Sequence, residues 1–157
     1  MSISIRDATA ADAERVVDLY DEFNGYLSEL GVGDGVDANL TVERYRRDGF
    51  GPNPAFCGLI AESDGEVVGY LLYHFGYDTE LADRVMYILD LYVTEAQRMR
   101  GAGASLMAHA KSICHDANAT EILWSVYKPN QAARKFYQRL GAEIIDDLDY
   151  MYLKVER

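Results

Sequence analysis

The chain has 157 residues, 49% apolar and 26% charged, which suits one domain with a packed core and excludes wholesale disorder. Lysine and arginine total 15 against 26 acidic residues, a net charge of −11; this sign argues against a nucleic-acid binder and suits a cationic small molecule. Cys57 and Cys114 are too few and too far apart for a disulfide scaffold or zinc cluster, the start is polar, and no apolar run is long enough for a bilayer. The expectation is a single cytoplasmic domain over residues 1–157, with no metal, no membrane and no nucleic-acid partner.

Residues 2–6 alternate apolar and polar, as a half-exposed strand does. Thr9 and Asp12 stand three apart, a spacing like that of a capping box with Asp in place of Glu. Val16, Tyr20, Phe23, Leu27 and Leu30 then follow the helical period, and Gly31, Gly33 and Gly35 end that helix. Residues 41–48 predict a short second helix stopped by Gly49. Residues 55–63 and 66–74 around Asp64-Gly65 predict a hairpin, and 85–93 a strand apolar on both faces except at Asp90. A helix over 103–117, with Leu106, Ala110 and Ile113 inward, a strand over 121–127 and a helix over 130–140 stopped by Gly141 come next. Residues 142–145 and 150–155 read as closing strands around the acidic turn 146–149. The order β-α-α-β-β-β-α-β-α-β-β implies an α/β (α+β) fold, a single mixed sheet of about seven strands flanked by about four helices.

The stretch from Tyr92 to Ser105 leaves a buried strand, crosses a loop of basic and small residues, and opens a helix. Free backbone N–H groups at a helix start bind phosphate, glycines let the backbone approach it, and Arg98 and Arg100 add charge. It lacks the Gly-Lys-Ser/Thr ending of a P-loop, and Leu106 stands where the dinucleotide fingerprint needs glycine. A plain strand-to-helix turn with glycines for tightness fits the spacing equally well. In the second segment Ala133, Phe136, Tyr137 and Leu140 share one helical face, with Asn130 placed as its N-cap. Periodicity alone makes Tyr137 a core aromatic.

Together, Arg98-x-x-Gly101-x-Gly103 and Asn130-x-x-Ala133-x-x-Phe136-Tyr137-x-x-x-Gly141 resemble the two signature segments of the GNAT acetyltransferases, and the element order matches the GNAT fold. Residues 87–93 and the chain length resemble its diamine branch, which acetylates spermidine, spermine and thialysine. The resemblance implies acetyl-CoA as cosubstrate, no metal, and a homodimer. It implies that backbone N–H groups of Arg98, Met99, Arg100, Gly101, Ala102, Gly103 and Ala104 cradle the pyrophosphate. The backbone of Leu91, Tyr92 and Val93 would hold the pantetheine arm and face the oxyanion, and Asn130 and Arg134 would flank the cofactor. Tyr137 takes the position of the general acid for the departing thiolate.

One position departs from the branch: Leu89 stands where relatives carry a glutamate read as the base. Asp90 remains, and it either anchors or helps deprotonate the substrate ammonium or pairs structurally at a strand end. His74 reads as a base facing the acceptor cleft or as a packing histidine; Glu22, with Asp18 and Glu29, as an acidic pocket lining or a solvated helix face. Cys57 and Cys114 read as buried small apolar residues. The function implied is acetyl transfer to a primary amine of a diamine, polyamine or lysine-like amino acid. The alternatives are acetylation of protein N-termini or lysine side chains, and a non-catalytic acyl-CoA-binding module.

Overall fold

A computed structural model describes residues 2–33 and 39–156. Along the chain run β1 (Ile3–Asp7), α1 (Ala13–Glu29), α2 (Val42–Phe50), β2 (Cys57–Ser63), β3 (Glu66–Asp78), β4 (Asp83–Val93), α3 (Ala102–Asp116), β5 (Ala119–Leu123) and α4 (Gln131–Arg139). Among the described residues the strands form one sheet in the order β1-β2-β3-β4-β5, antiparallel except for the parallel β4–β5 pair that α3 connects. The mixed sheet and four helices agree with the sequence reading. Gly35, read as part of the turn after α1, lies outside the described residues.

The two apolar faces of the sheet have separate covers. Leu59, Leu71, Met86 and Ile88 pack under Ala102, Leu106, Met107 and Ala110 of α3, with Phe136, Tyr137 and Leu140 of α4 beside them. On the other face Ile60, Tyr70, Leu72 and Tyr92 pack under Ala13, Val16 and Leu19 of α1 and Tyr45 of α2. The start of α1 is fixed by the predicted spacing, since the Thr9 N–H donates to Asp12 Oδ2 at 2.7 Å. Arg6 on β1 holds the same carboxylate with two bonds, 2.9 and 2.7 Å long, and keeps Asp12 below the usual carboxylate range.

Several expectations are corrected. The predicted strand 121–127 ends its ladder at Leu123, because 124–127 turns away from β4. The closing strands 142–145 and 150–155 are not formed: the segment stays off the sheet with its apolar side chains exposed, and an undocked strand has no ladder to hold it. Cys57 is exposed at the first position of β2, and only Cys114 is buried, in the stripe of α3.

Candidate active site

The site begins with a β-bulge. Leu72 of β3 pairs with Asp90 and Tyr73 with Ile88, so Leu89 has no cross-strand partner. An extra residue reverses the alternation of side chains beyond it. Hence Met86 and Ile88 face α3, whereas Tyr92, of the same parity, faces α1. Asp90, opposite Leu72, is carried to the α1 face, while Leu89 is left 48% exposed.

The second device is a parting of strands. β5 pairs with β4 only along Arg84, Val85, Met86 and Tyr87. Beyond Tyr87 the two diverge, and a cavity of about 520 Å³ opens between β4, α1, residues 124–127 and α4. Past that point β4, from Ile88 to Val93, stays paired with β3 except at Leu89 but has no strand on its other side.

Asp90 and Tyr137 both line this cavity. No side-chain hydrogen bond or ion pair reaches Asp90 among the described residues, and burial raises its pKa to about 6. Tyr137 packs its ring 4.8 Å from Trp124 and 5.1 Å from Phe136. Burial, reinforced by the charge of Asp90, raises its phenol to about 12, so it keeps its proton at neutral pH. Two opposed kinds of group therefore meet at one cavity: a carboxylate able to meet a cation and a phenol able to donate a proton.

Asn130 is buried and caps α4, its Oδ1 accepting from the Ala133 N–H at 3.2 Å and from the Tyr26 hydroxyl of α1 at 2.9 Å. α1 is thereby tied across the cavity to α4. Arg98 donates from Nε to the Val93 carbonyl at 3.2 Å and lays its guanidinium 4.8 Å over Tyr26 and 5.4 Å over Tyr92. It thus reinforces the end of β4 and the same bridge.

The loop between β4 and α3 is shaped for close approach. Gly101 adopts φ +91 directly before α3, a conformation that side chains resist, and Met99 at φ +64 stands 88% exposed. Ser105 is the first residue of α3 to donate backward, to the Gly101 carbonyl at 2.9 Å. The N–H groups of Ala102, Gly103 and Ala104 lie in the first helical turn, ahead of any intrahelical acceptor. A Cβ on Gly103 would come within 3.1 Å of Phe136, so this glycine sets how closely α3 and α4 pack. These free amides and the unpaired edge of β4 suit a diphosphate on an extended arm.

Other candidates lie elsewhere. His74 stacks on Tyr87 at 5.4 Å on the hairpin of β3 and β4, outside the cavity. Glu22 accepts from the Tyr92 hydroxyl at 3.4 Å and pairs with Arg15 at 3.6 Å, also outside it. Asp21, which the sequence reading did not single out, lines the cavity with Tyr20 and Asn24 instead. The helical spacing of 20, 21, 24, 27 and 28 holds that signal, but only once the inward face of α1 is known. Tyr70 was likewise missed; it is fully buried on the Asp90 face, and its hydroxyl has no hydrogen-bond partner among the described residues. Arg134 follows the Asn130 cap by one turn, on the part of α4 outside the cavity wall. The described residues contain no metal-holding cluster.

The acetyltransferase (GNAT) family profile matches residues 14–142, and the chain belongs to that family. It is 32% identical over 150 residues to the human spermidine/spermine N(1)-acetyltransferase-like protein 1, an alignment covering 88% of this chain but 20% of the human protein. It is 30% identical over 157 residues to the bovine thialysine N-epsilon-acetyltransferase, covering 94% of this chain and 88% of that one. In structure it resembles an integron cassette protein from Vibrio cholerae, with a TM-score of 0.80 at 24% identity over 99% of this chain and 94% of that one. An aminoglycoside acetyltransferase from an uncultured soil sample superposes with a TM-score of 0.73 at 22% identity, over 99% of this chain and all of the other. These last two likenesses concern the fold.

Proposed function

We propose that the protein transfers the acetyl group of acetyl-CoA directly to a primary amine of a small cationic acceptor, a diamine, polyamine or lysine-like amino acid, with Tyr137 as general acid. The observation that carries this reading is the meeting of Asp90 and Tyr137, neither with a hydrogen-bond partner among the described residues, at one cavity where β4 and β5 part.

Acetyl-CoA supplies an activated acyl thioester. Its diphosphate suits the amides that open α3, and its arm suits the unpaired edge of β4 from Leu91 to Val93. The acceptor enters the cavity as an ammonium, and Asp90 is its counter-ion. With a pKa of about 6 Asp90 is ionised at pH 7.5, so it can hold the cation. Taking a proton outright from an amine near 10.4 is uphill by about four units, about 6 kcal/mol. Anchoring, with the proton leaving through water, is therefore the role its chemistry favours. The neutral amine then attacks the carbonyl carbon, the C–N bond forms as the C–S bond breaks, the Tyr137 hydroxyl protonates the departing sulfur, and the proton shed by the new amide nitrogen restores the phenol. The net change is one amide, one thiol and one proton released to solvent.

About 520 Å³ is the scale of a small-molecule site, and Asp21 beside Asp90 adds a second carboxylate for an acceptor with two cationic groups. The net charge of −11 draws such acceptors in. The names of the curated relatives, spermidine/spermine and thialysine acetyltransferases, support the same class. The reading carries with it the cytoplasmic homodimer expected from the sequence.

The test is a panel of amines with acetyl-CoA, read by free-thiol production, on wild type and Tyr137→Phe. Turnover on a diamine or thialysine that falls at least 100-fold in the variant, with the KM for acetyl-CoA within twofold, is the expected result. Equal turnover would reduce Tyr137 to packing, and turnover confined to peptides would move the acceptor class.

A further inference from the structure

The α1 face of the sheet hides a hydroxyl that its packing does not need. Tyr70 of β3 is fully buried there with Ile60, Leu72 and Tyr92, and its hydroxyl has no hydrogen-bond partner among the described residues. A phenylalanine would fill the same space without leaving a polar atom unpaired, and such an atom costs free energy in apolar surroundings. Two neighbouring tyrosines are satisfied by contrast: Tyr45 donates to the Thr9 carbonyl at 3.3 Å and Tyr92 to Glu22 at 3.4 Å.

The place of that hydroxyl in the ladder gives it a task. Across β3 and β4 Tyr70 pairs with Tyr92 and Leu72 with Asp90, so Tyr70 and Asp90 are diagonal neighbours, a separation that an aromatic side chain can bridge. The bulge at Leu89 brings them to one face; without it Asp90 would follow Met86 and Ile88 toward α3. Burial holds the phenol well above its ordinary value, and Asp90 is the first of the groups that add to this, ahead of Tyr20, Tyr92 and Asp21. The hydroxyl is therefore a permanent donor. Tyr20, Asp21 and Asp90 line the cavity, which puts Tyr70 behind its acidic corner.

We propose that Tyr70 is a positioning residue of the acceptor site: its hydroxyl donates, directly or across one buried water, to the Asp90 carboxylate and fixes the oxygen that meets the ammonium. The role rests on Asp90 being the acceptor's counter-ion. A carboxylate has lone pairs enough for both tasks, accepting from behind with one oxygen while the other faces the cavity. A bridging water finds the polar partners it needs in Tyr70, Asp90 and the Tyr20–Asp21 pair beside them. The other titratable groups around Asp90 are Tyr20 and Asp21 from α1, Tyr92 from its own strand, Tyr127 beyond β5 and Tyr137 from α4. None of these is cationic, so a hydroxyl donor is what steadies the charged carboxylate before the acceptor arrives. Tyr70 is fully buried and has no surface in the cavity, so it acts through Asp90 and touches neither the acceptor nor the thioester.

The test is Tyr70→Phe, which removes the hydroxyl and keeps the ring. The first readout needs no substrate: the Asp90 carboxyl is titrated by carbon-13 NMR, its signal assigned by its loss in Asp90→Asn. Losing a donor to the charged form should raise its pKa by ~0.5–1 unit, about threefold to tenfold in the proton equilibrium. The second readout is kinetic, with acetyl-CoA and the best amine of the panel. The KM for the amine should rise about threefold to tenfold with kcat unchanged and the KM for acetyl-CoA within twofold, and the acid limb of kcat/KM should move up by the same ~0.5–1 unit. On an Asp90→Asn background Tyr70→Phe should alter the amine KM by less than about twofold, because its coupled partner is gone. The urea midpoint at pH 5, where Asp90 is mostly protonated, should match wild type, since the hydroxyl bonds no other described group. An unmoved titration would overturn the contact, whatever the acceptor proves to be. A moved titration with an unmoved amine KM, a KM effect that persists beside Asp90→Asn, or a variant less stable at pH 5 would each overturn the positioning role. If no amine turns over, the proposed function falls and the acceptor role with it, while the titration still decides the contact.

Discussion

Replacing Asp90 by Asn should stabilise the fold and impair the enzyme, a combination that separates a functional carboxylate from a structural one. A carboxyl group raised from its ordinary 3.8 to about 6 binds its proton more tightly in the folded chain than in the unfolded one. Between those values the folded state holds more protons, so unfolding free energy falls as pH rises from about 4 to about 6. Above that window the charged, desolvated Asp90 costs up to about 3 kcal/mol, from roughly two units at 1.36 kcal/mol each. Asn keeps the shape and removes the charge, while its amide gives back part of the gain where it finds no partner. The net expectation is about 1–3 kcal/mol of added stability at pH 8, or several degrees in Tm at ~2–4 °C per kcal/mol, with wild-type stability at pH 4. Urea unfolding of both proteins at pH 4, 6 and 8 measures it. On the proposed reading the same substitution lowers kcat/KM for the amine by at least tenfold, the scale of one charge-assisted bond. It also abolishes the fall in wild-type activity below about pH 6, where Asp90 becomes protonated. A variant less stable at pH 8, or one with wild-type kinetics and pH profile, would refute the reasoning.

Asn130→Ala removes the cap of α4 and the acceptor of the Tyr26 hydroxyl together, and should cost about 1–3 kcal/mol by urea unfolding, against about 1 kcal/mol for Tyr26→Phe. Gly101→Val forces a β-branched residue to φ +91, with an expected loss of about 1–3 kcal/mol and coenzyme A binding at least tenfold weaker by calorimetry; unchanged affinity would remove the loop from the cofactor site. Asp12, held below its usual range by Arg6, supports the fold above pH 4 and loses that support as pH falls through its folded value. Asp12→Asn should therefore lower stability at pH 7 by about 1–3 kcal/mol and flatten the acid limb of a melting-temperature profile.

Wherever periodicity and local chemistry decide structure, the sequence was enough. The stripe Val16, Tyr20, Phe23, Leu27 lies along α1, the Asp64-Gly65 hairpin joins β2 to β3, and Asn130 caps α4 as its spacing implied. The bulge at Leu89 could not be read, because one unpaired residue is a property of two strands in register and not of either alone. That hidden reversal also determines which carboxylates meet the cavity: it turns Asp90 toward α1, where the inward face of that helix supplies Asp21 and not Glu22. His74 was ambiguous for the same reason, since only its position opposite Tyr87 makes it a stacked ring. The closing strands failed differently. Their pattern is that of strands, but alternation alone does not dock a segment, and this one stays off the sheet with its apolar side chains exposed.

The unsatisfied groups of this fold are not spread evenly. Asp90 carries a desolvated charge without a partner, and Tyr70, on the same face and diagonal to it across β3 and β4, hides a hydroxyl with no acceptor among the described residues. Each costs free energy that a methyl or an amide could spare. Burial, reinforced by the negative field of Asp90, pushes the Tyr70 and Tyr137 phenols upward, so both stay protonated and both remain donors. On the proposed reading, a cation entering the cavity satisfies the carboxylate and cancels its field on the two phenols. Leu89, beside Asp90 at the bulge and half exposed, adds apolar surface to the cavity wall. On the proposed reading, binding energy is concentrated on one ammonium held against Asp90, with the flanking carbon chain of the acceptor against Leu89.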